Sequence, residues 1–263
     1  MPLTKDKYFE LIDSSPDYLH YRCALNAYIP GTLYKYFSIP DGFYKARKRF
    51  KQLKSGEIWF SKRSGLNDPF EFEHIALEDA QDDARQYYLN KQQELEVCCF
   101  SALLYNKLMW SHYAADYKGY CVEFRVESPE HFYPVIYENI IPDLGQEYQR
   151  FYDMRGKMCA NPAIVLNNYE NRKNLLRINY PLFSKDTCWS YEQEYRILDS
   201  STGANGELKK MTANGLRVTK IIAGAICTDF NFQRLKRVAD ALNVPISKIG
   251  WDSNLQLIEV PLP

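Results

Sequence analysis

Two glutamates set two residues apart in an aromatic run, Trp189-Ser-Tyr-Glu-Gln-Glu-Tyr-Arg-Ile-Leu198, constrain this chain more than any other stretch. Its aromatic, β-forming composition reads as a strand. Extended from Ser190, the strand puts Glu192, Glu194 and Arg196 on one face and Tyr191, Tyr195 and Ile197 on the other. Two carboxylates on one face repel unless a cation or a substrate hydroxyl lies between them. Arg196 is the nearest cation for that role. The run is therefore either a surface edge with a salt bridge or a pair of active-site acids.

At 263 residues the chain is long enough for a full core, and one domain over 1–263 is expected. Lys+Arg and Asp+Glu both number 33, so no global field points to nucleic acid or an anionic membrane, although a local basic patch stays open. Tyrosine is frequent at 21, which asks for many half-buried rings with satisfied hydroxyls, some free to stack on a ligand. The seven cysteines form no CxxC pair and no zinc-type cluster, and read as reduced thiols packed as small hydrophobes. The first residues lack the apolar core of a signal peptide and no run is long enough for a membrane span, so a soluble cytoplasmic protein without membrane contact is expected.

Along the chain, residues 1–30 read as a helical lead-in and 32–39 as a strand. A basic helix over 44–54 stops at Ser55-Gly56. Its cations form either a solvated face or, as the minority reading, a phosphate-contacting one. Further strands are expected at 57–61, 97–101, 119–126, 134–141, 189–198, 218–228 and 255–261. Helices are expected at 76–96, 106–116, 145–180 (broken around Asn161-Pro162) and 231–242, with a flexible turn over 200–206. Strands and helices intersperse without regular βαβ units, which argues for α+β: split or two-layer mixed sheets with flanking helices.

No dinucleotide-binding glycine fingerprint, Walker loop, nucleophile elbow or HExxH is present. With four histidines an imidazole-rich metal site is not expected; an Asp/Glu-only magnesium site stays open. Four polar clusters remain. Lys35 lies on the strand face opposite Tyr34 and Tyr36, as an exposed edge lysine or a cation aimed into a cleft. Ser61 precedes the loop Asn67-Asp-Pro-Phe-Glu71, a turn that could also shape a pocket rim. Ser101 ends a buried-type strand near Trp110 and Tyr113, whose i, i+3 spacing marks a helix core face. The acidic strand with Trp189, Glu192, Glu194 and Arg196 is the fourth.

Leu33-Tyr-Lys-Tyr36, Ile58-Trp-Phe-Ser61 followed by Leu66-Asn-Asp-Pro-Phe-Glu71, and Cys99-Phe-Ser101 occur in order. Met109-Trp-Ser-His-Tyr-Ala114, then Gly119 with Val122-Glu-Phe124, and the 189–197 run complete the series. This combination resembles the bacterial domain-of-unknown-function family 2971, over a core of roughly residues 32–228 with 229–263 as an appended helix and strand. More loosely, an aromatic-basic first strand, a strand ending in serine and a late Glu-x-Glu resemble ADP-ribosyltransferases, and 59–64 is similar to the matching region of their DNA-modifying members.

That second resemblance implies NAD as substrate, with Glu194 on the ribose 2′-hydroxyl and Glu192 as the acceptor-side acid. It implies a nucleotide site formed by Lys35, Tyr36, Phe60, Ser61 or Ser101, Asn67, Trp110, Tyr113 and Arg196. Tyr36, Phe60 or Trp110 would stack the nicotinamide, and Lys35 would hold the pyrophosphate as a point charge. The first-strand residue is Lys where that family has Arg or His, and the Ser-Thr-Ser triplet is missing.

The expected function is an ADP-ribosyltransferase or NAD glycohydrolase, used as a toxin or phage-defence effector. Its acceptor would be a protein, a nucleic acid or water, and an antitoxin or defence-system partner would accompany it. The rival readings are a metal-dependent nuclease or phosphodiesterase, with Asp68, Glu71, Glu192 and Glu194 around magnesium, and a non-catalytic ligand or nucleic-acid sensor.

Overall fold

Residues 2–73, 75–160, 168–200, 203 and 205–260 are described by the computed structural model. The chain opens with helices α1 (Lys5–Ser14) and α2 (Tyr18–Asn26), started by Thr4 and Asp17, whose side chains accept from Lys7 N and His20 N. Strand β1 (Thr32–Phe37), helix α3 (Phe43–Lys54) and strand β2 (Glu57–Lys62) follow. Next come α4 (Asp82–Glu94), β3 (Leu95–Ser101), α5 (Lys107–Tyr113) and β4 (Tyr120–Val126). The middle of the chain holds short β5 (Phe132–Pro134) and β6 (Ile136–Tyr137), α6 (Gly145–Ala160), α7 (Tyr169–Ile178) and β7 (Ser184–Lys185). It closes with β8 (Glu194–Ser200), β9 (Glu207–Lys210), β10 (Leu216–Ala223), α8 (Asp229–Leu242), β11 (Ile246–Trp251) and β12 (Leu257–Val260).

The architecture is α+β. Ten strands form one sheet in the order β12-β11-β10-β4-β1-β3-β2-β9, with β8 joined to β3 and β5 joined to β8 off that path. Strand β3 is the branch point. One of its edges is paired along its whole length with β8, from Leu95↔Ser200 to Ser101↔Glu194. The other edge is shared. β2 pairs it only at Ser61↔Val97 and Lys62↔Glu96, and β1 only at Tyr34↔Ser101. Between those contacts β1 and β2 part, and the sheet is split. An unpaired backbone carbonyl in such a gap needs another donor. Lys35 supplies one, donating from Nζ to Cys99 O at 2.7 Å.

Alternation along β1 and β4 divides the apolar residues between two layers. Leu33, Val122 and Phe124 pack with Ala46, Phe50 and Leu53 of α3 and with Leu235 and Val238 of α8. Tyr36 and Cys121 face the opposite way, onto Trp110 of α5. A third cluster, with Tyr8, Tyr21, Phe72, Val97, Tyr180 and Phe183, joins α1, α2 and the 180–183 turn to β3. Each fully buried Leu or Phe contributes about 1.5–3 kcal/mol, so these layers outweigh any single polar contact and fix the frame around the split.

Several expected boundaries move. The strand expected at 189–198 begins at Glu194: Thr187–Glu192 is a 3-10 turn opened by Asp186, whose side chain accepts from Cys188 N, and Gln193 is left-handed at φ 40°. The helix expected from 76 starts at Asp82, because Ala76 bridges to Asp143 and Asp143 Oδ1 accepts from Glu78 N. The 134–141 strand is two short pieces, and the 218–228 strand ends at Ala223. Strands β7, β9 and β11 had no clear sequence signal. The break expected at Asn161-Pro162 and parts of the 200–206 turn lie outside the described residues.

Candidate active site

A cavity of about 200 Å³ opens at the split. Lys35, Tyr34 and Tyr36 reach it from β1, Ser61 from β2, Cys99 and Ser101 from β3, and Asn67 and Glu71 from the loop after β2. Tyr113 of α5, Lys185 of β7, Glu192 and Glu194 complete the wall.

The left-handed Gln193 lets Glu192 and Glu194 approach the same cation from a turn and from a strand, instead of standing side by side on one strand face. Lys185 Nζ lies 2.8 Å from Glu192 Oε2, 3.0 Å from Glu194 Oε2 and 3.4 Å from Glu71 Oε2. Arg196, wholly buried, holds Glu194 through Nε at 2.7 Å and Nη2 at 3.1 Å, lies 2.6 Å from Glu71 Oε1 through Nη2, and donates Nη1 to Leu182 O. Three carboxylates thus face two cations away from water, one negative charge in excess. A buried charge tolerates this only when paired and hydrogen-bonded.

The excess falls on Glu192. Burial and then the charge of Glu194 push its carboxyl above the usual range, against the opposing pull of Lys185. Burial would raise Glu194 as well, but Arg196 and then Lys185 outweigh it and hold that carboxyl well below the usual range. One acid of the pair is therefore a fixed charge and the other is poised to exchange a proton. Tyr113 donates its hydroxyl to Glu192 Oε1 and accepts from Asn67 Nδ2; burial, with Glu192 next, raises the phenol so that it keeps its proton.

Lone-pair counting adds a chemical point. Glu194 accepts once from Lys185 and twice from Arg196 and is also reached by the Cys99 thiol, whereas Glu192 accepts two hydrogen bonds among the described residues, so acceptor positions stay open on Glu192.

Lys35, Tyr36, Ser61, Asn67, Ser101, Tyr113, Glu192 and Glu194, all singled out from sequence, meet around this one cavity. Their local roles differ from the expected ones. Lys35 Nζ gives one of its donors to Cys99 O, and Ser101 Oγ donates to Glu192 O at 2.6 Å, latching the acidic turn to the end of β3. Three expected residues do not form the wall. Phe60 is wholly buried in the layer under α3, because alternation turns it away from Ser61. Trp110 lies behind Tyr36, edge-on at 5.2 Å, with Nε1 donating to Leu104 O. Arg196 reaches the cavity only by way of Glu194 and Glu71.

Sequence reasoning does not single out Lys185. Its one sequence signal is a lysine one serine beyond the apolar run Tyr180-Pro-Leu-Phe183, which is buried throughout. Glu71 had been read only as a rim or magnesium residue.

Residues 109–197 match the family model described as "Protein of unknown function (DUF2971)". The match bears out the resemblance read from the motifs, over a narrower span than 32–228. It covers Tyr113, Lys185, Glu192, Glu194 and Arg196, and it stops short of Lys35, Ser61, Glu71 and Ser101. No curated protein and no solved structure matches the chain.

Proposed function

We propose that this cavity binds the nicotinamide-ribose end of NAD and cleaves its N-glycosidic bond, in an ADP-ribosyltransferase-like fold acting as a transferase or NAD glycohydrolase. The observation that carries the reading is the meeting, at one split in the sheet, of a first-strand lysine, two strand serines and a carboxylate pair with oppositely displaced proton affinities. At about 200 Å³ the cavity is below the roughly 300–1,000 Å³ of sites that enclose drug-sized ligands. Only one end of a dinucleotide fits inside, and the ADP portion lies at the mouth.

In the bond-breaking step the C1′–N1 bond opens and its electron pair neutralises the pyridinium nitrogen. Positive charge moves onto the ribose, as in glycoside cleavage. Glu194 accepts from the 2′-hydroxyl in place of the weakly donating Cys99 thiol, and its permanent charge stabilises the oxocarbenium. An acceptor hydroxyl or water then adds to C1′, and its proton passes to Glu192, the acid of the pair whose proton affinity is raised. Tyr36 or Tyr34 stacks the nicotinamide, since Phe60 and Trp110 are out of reach.

Magnesium chemistry at the same acids is disfavoured by a direct observation: the Lys185 ammonium already sits among Glu71, Glu192 and Glu194, where the ion would have to sit. Among the described residues no helix is long and apolar enough to cross a membrane. The reading as a toxin or phage-defence effector, with an antitoxin or defence partner, rests on the resembled families alone.

The test is release of labelled nicotinamide from NAD, with and without cell extract, by the wild type and by Glu192→Gln of unchanged circular dichroism. Release in the wild type that falls at least about a hundredfold in the variant supports the proposal. Equal release in both, or none in either when extract supplies acceptors, rejects it.

A further inference from the structure

The chain carries no net charge, yet α3 concentrates six cations, Lys45, Arg47, Lys48, Arg49, Lys51 and Lys54, and no acid. None of the six is ion-paired among the described residues, whereas Lys209 and Lys210 on nearby β9 are each held by carboxylates. Ala46, Phe50 and Leu53 anchor the helix in the core, so its basic side has a fixed orientation.

Between this helix and β2 runs a second groove, of about 330 Å³, distinct from the cavity at the split. Lys45, Lys48 and Arg49 line one wall and Trp59 lies on the other. The carboxylate of Glu57, also on the groove, is neutralised by Lys210 at 3.0 Å. Trp59 is 44% exposed, as is Trp251 elsewhere in the chain, and it is seated on Gly206, where a Cβ would come within 2.7 Å of the ring. A rigid, open aromatic face beside unpaired cations is the arrangement that takes bases by stacking and backbone phosphates by charge.

We infer that the groove between α3 and β2 binds single-stranded nucleic acid. An acidic protein would use the cations but has no need of the indole. An anionic membrane would need an apolar helix face to insert, and the face of α3 formed by Ala46, Phe50 and Leu53 is already buried in the core, leaving only Phe43 and Tyr44 of its first turn exposed. The inference is independent of the proposed chemistry, because binding is measured without NAD.

The experiment is fluorescence anisotropy of the full chain with labelled single-stranded RNA and DNA of about 12 nucleotides, within the 4–16 nucleotide range of such sites, and with a duplex of the same sequence. With three groove cations on phosphates, log K should fall with log salt at a slope of about −2. Lys45→Ala with Lys48→Ala should reduce that slope to about −0.7. Trp59→Ala should weaken binding about tenfold at unchanged slope, and Trp59→Phe should restore most of it. All these side chains face solvent, and circular dichroism checks folding. No binding at low salt, indifference to both variants, equal or tighter binding of duplex, or preference for anionic vesicles would each overturn the inference.

Discussion

Glu192 and Glu194 are neighbours in sequence and opposites in chemistry, and the difference comes from what each touches. Glu194 is gripped by two buried cations, and Glu192 shares one of them and accepts from a phenol. Removing the Glu194 charge takes away the acceptor of three buried, charge-assisted hydrogen bonds from Arg196 and Lys185, so Glu194→Gln should cost about 3–5 kcal/mol in urea unfolding. Glu192→Gln, which removes the excess charge, should cost clearly less. Equal losses would show that the pair shares its cations evenly.

The pH dependence follows from the signs. Glu194 is lowered in the fold, so its stabilisation is present above the ordinary 4.5 and is lost as pH falls toward its folded value. Glu192 is raised, so its contribution is full below 4.5 and fades as pH rises through its folded value. Urea midpoints between pH 3 and 7 should therefore drop on the acid side, from about 4 downward, and that drop should flatten in Glu194→Gln. In turnover, the acid limb should lie above the usual glutamate range and vanish in Glu192→Gln.

At the scale of elements, the site exists because β3 cannot satisfy β1 and β2 at once. Each strand was legible from its aromatic, alternating pattern; the partial pairing that parts them was not, because register is set by neighbours far away in sequence. Lys35 and Ser101 looked like ligand groups and are, in the first place, the two polar clasps of the split. Lys35→Met should therefore loosen the β1 edge, seen as faster amide exchange along β1 and β3, before any effect on binding is considered. The turn after α5 is equally constrained. A Cβ on Gly119 would lie 2.1 Å from Phe37 O, so Gly119→Ala should lower the unfolding free energy by about 2–3 kcal/mol, as overpacking against backbone does. A thermal melt unchanged from wild type would refute that close approach.

Across the whole molecule, the charged cluster joins two apolar layers: Arg196 lies over Phe72 and donates to Leu182 O on one side, while Ile197 and Tyr195 of the same strand pack under α3 and α8. With β8 serving both layers, tryptophan fluorescence and far-ultraviolet dichroism should report one coincident unfolding transition; two separated midpoints would mean two cooperative units. The sequence by itself determined the α+β class, most of the elements and the short set of polar residues that meet at the cavity, because periodicity and turn chemistry are local. Only the tertiary structure decided that Lys185 is the hub of that set, that Phe60 and Trp110 stand outside it, and that one glutamate is a fixed charge while its neighbour can exchange a proton. Those outcomes depend on burial and on partners up to more than a hundred residues away, and no local pattern encodes them.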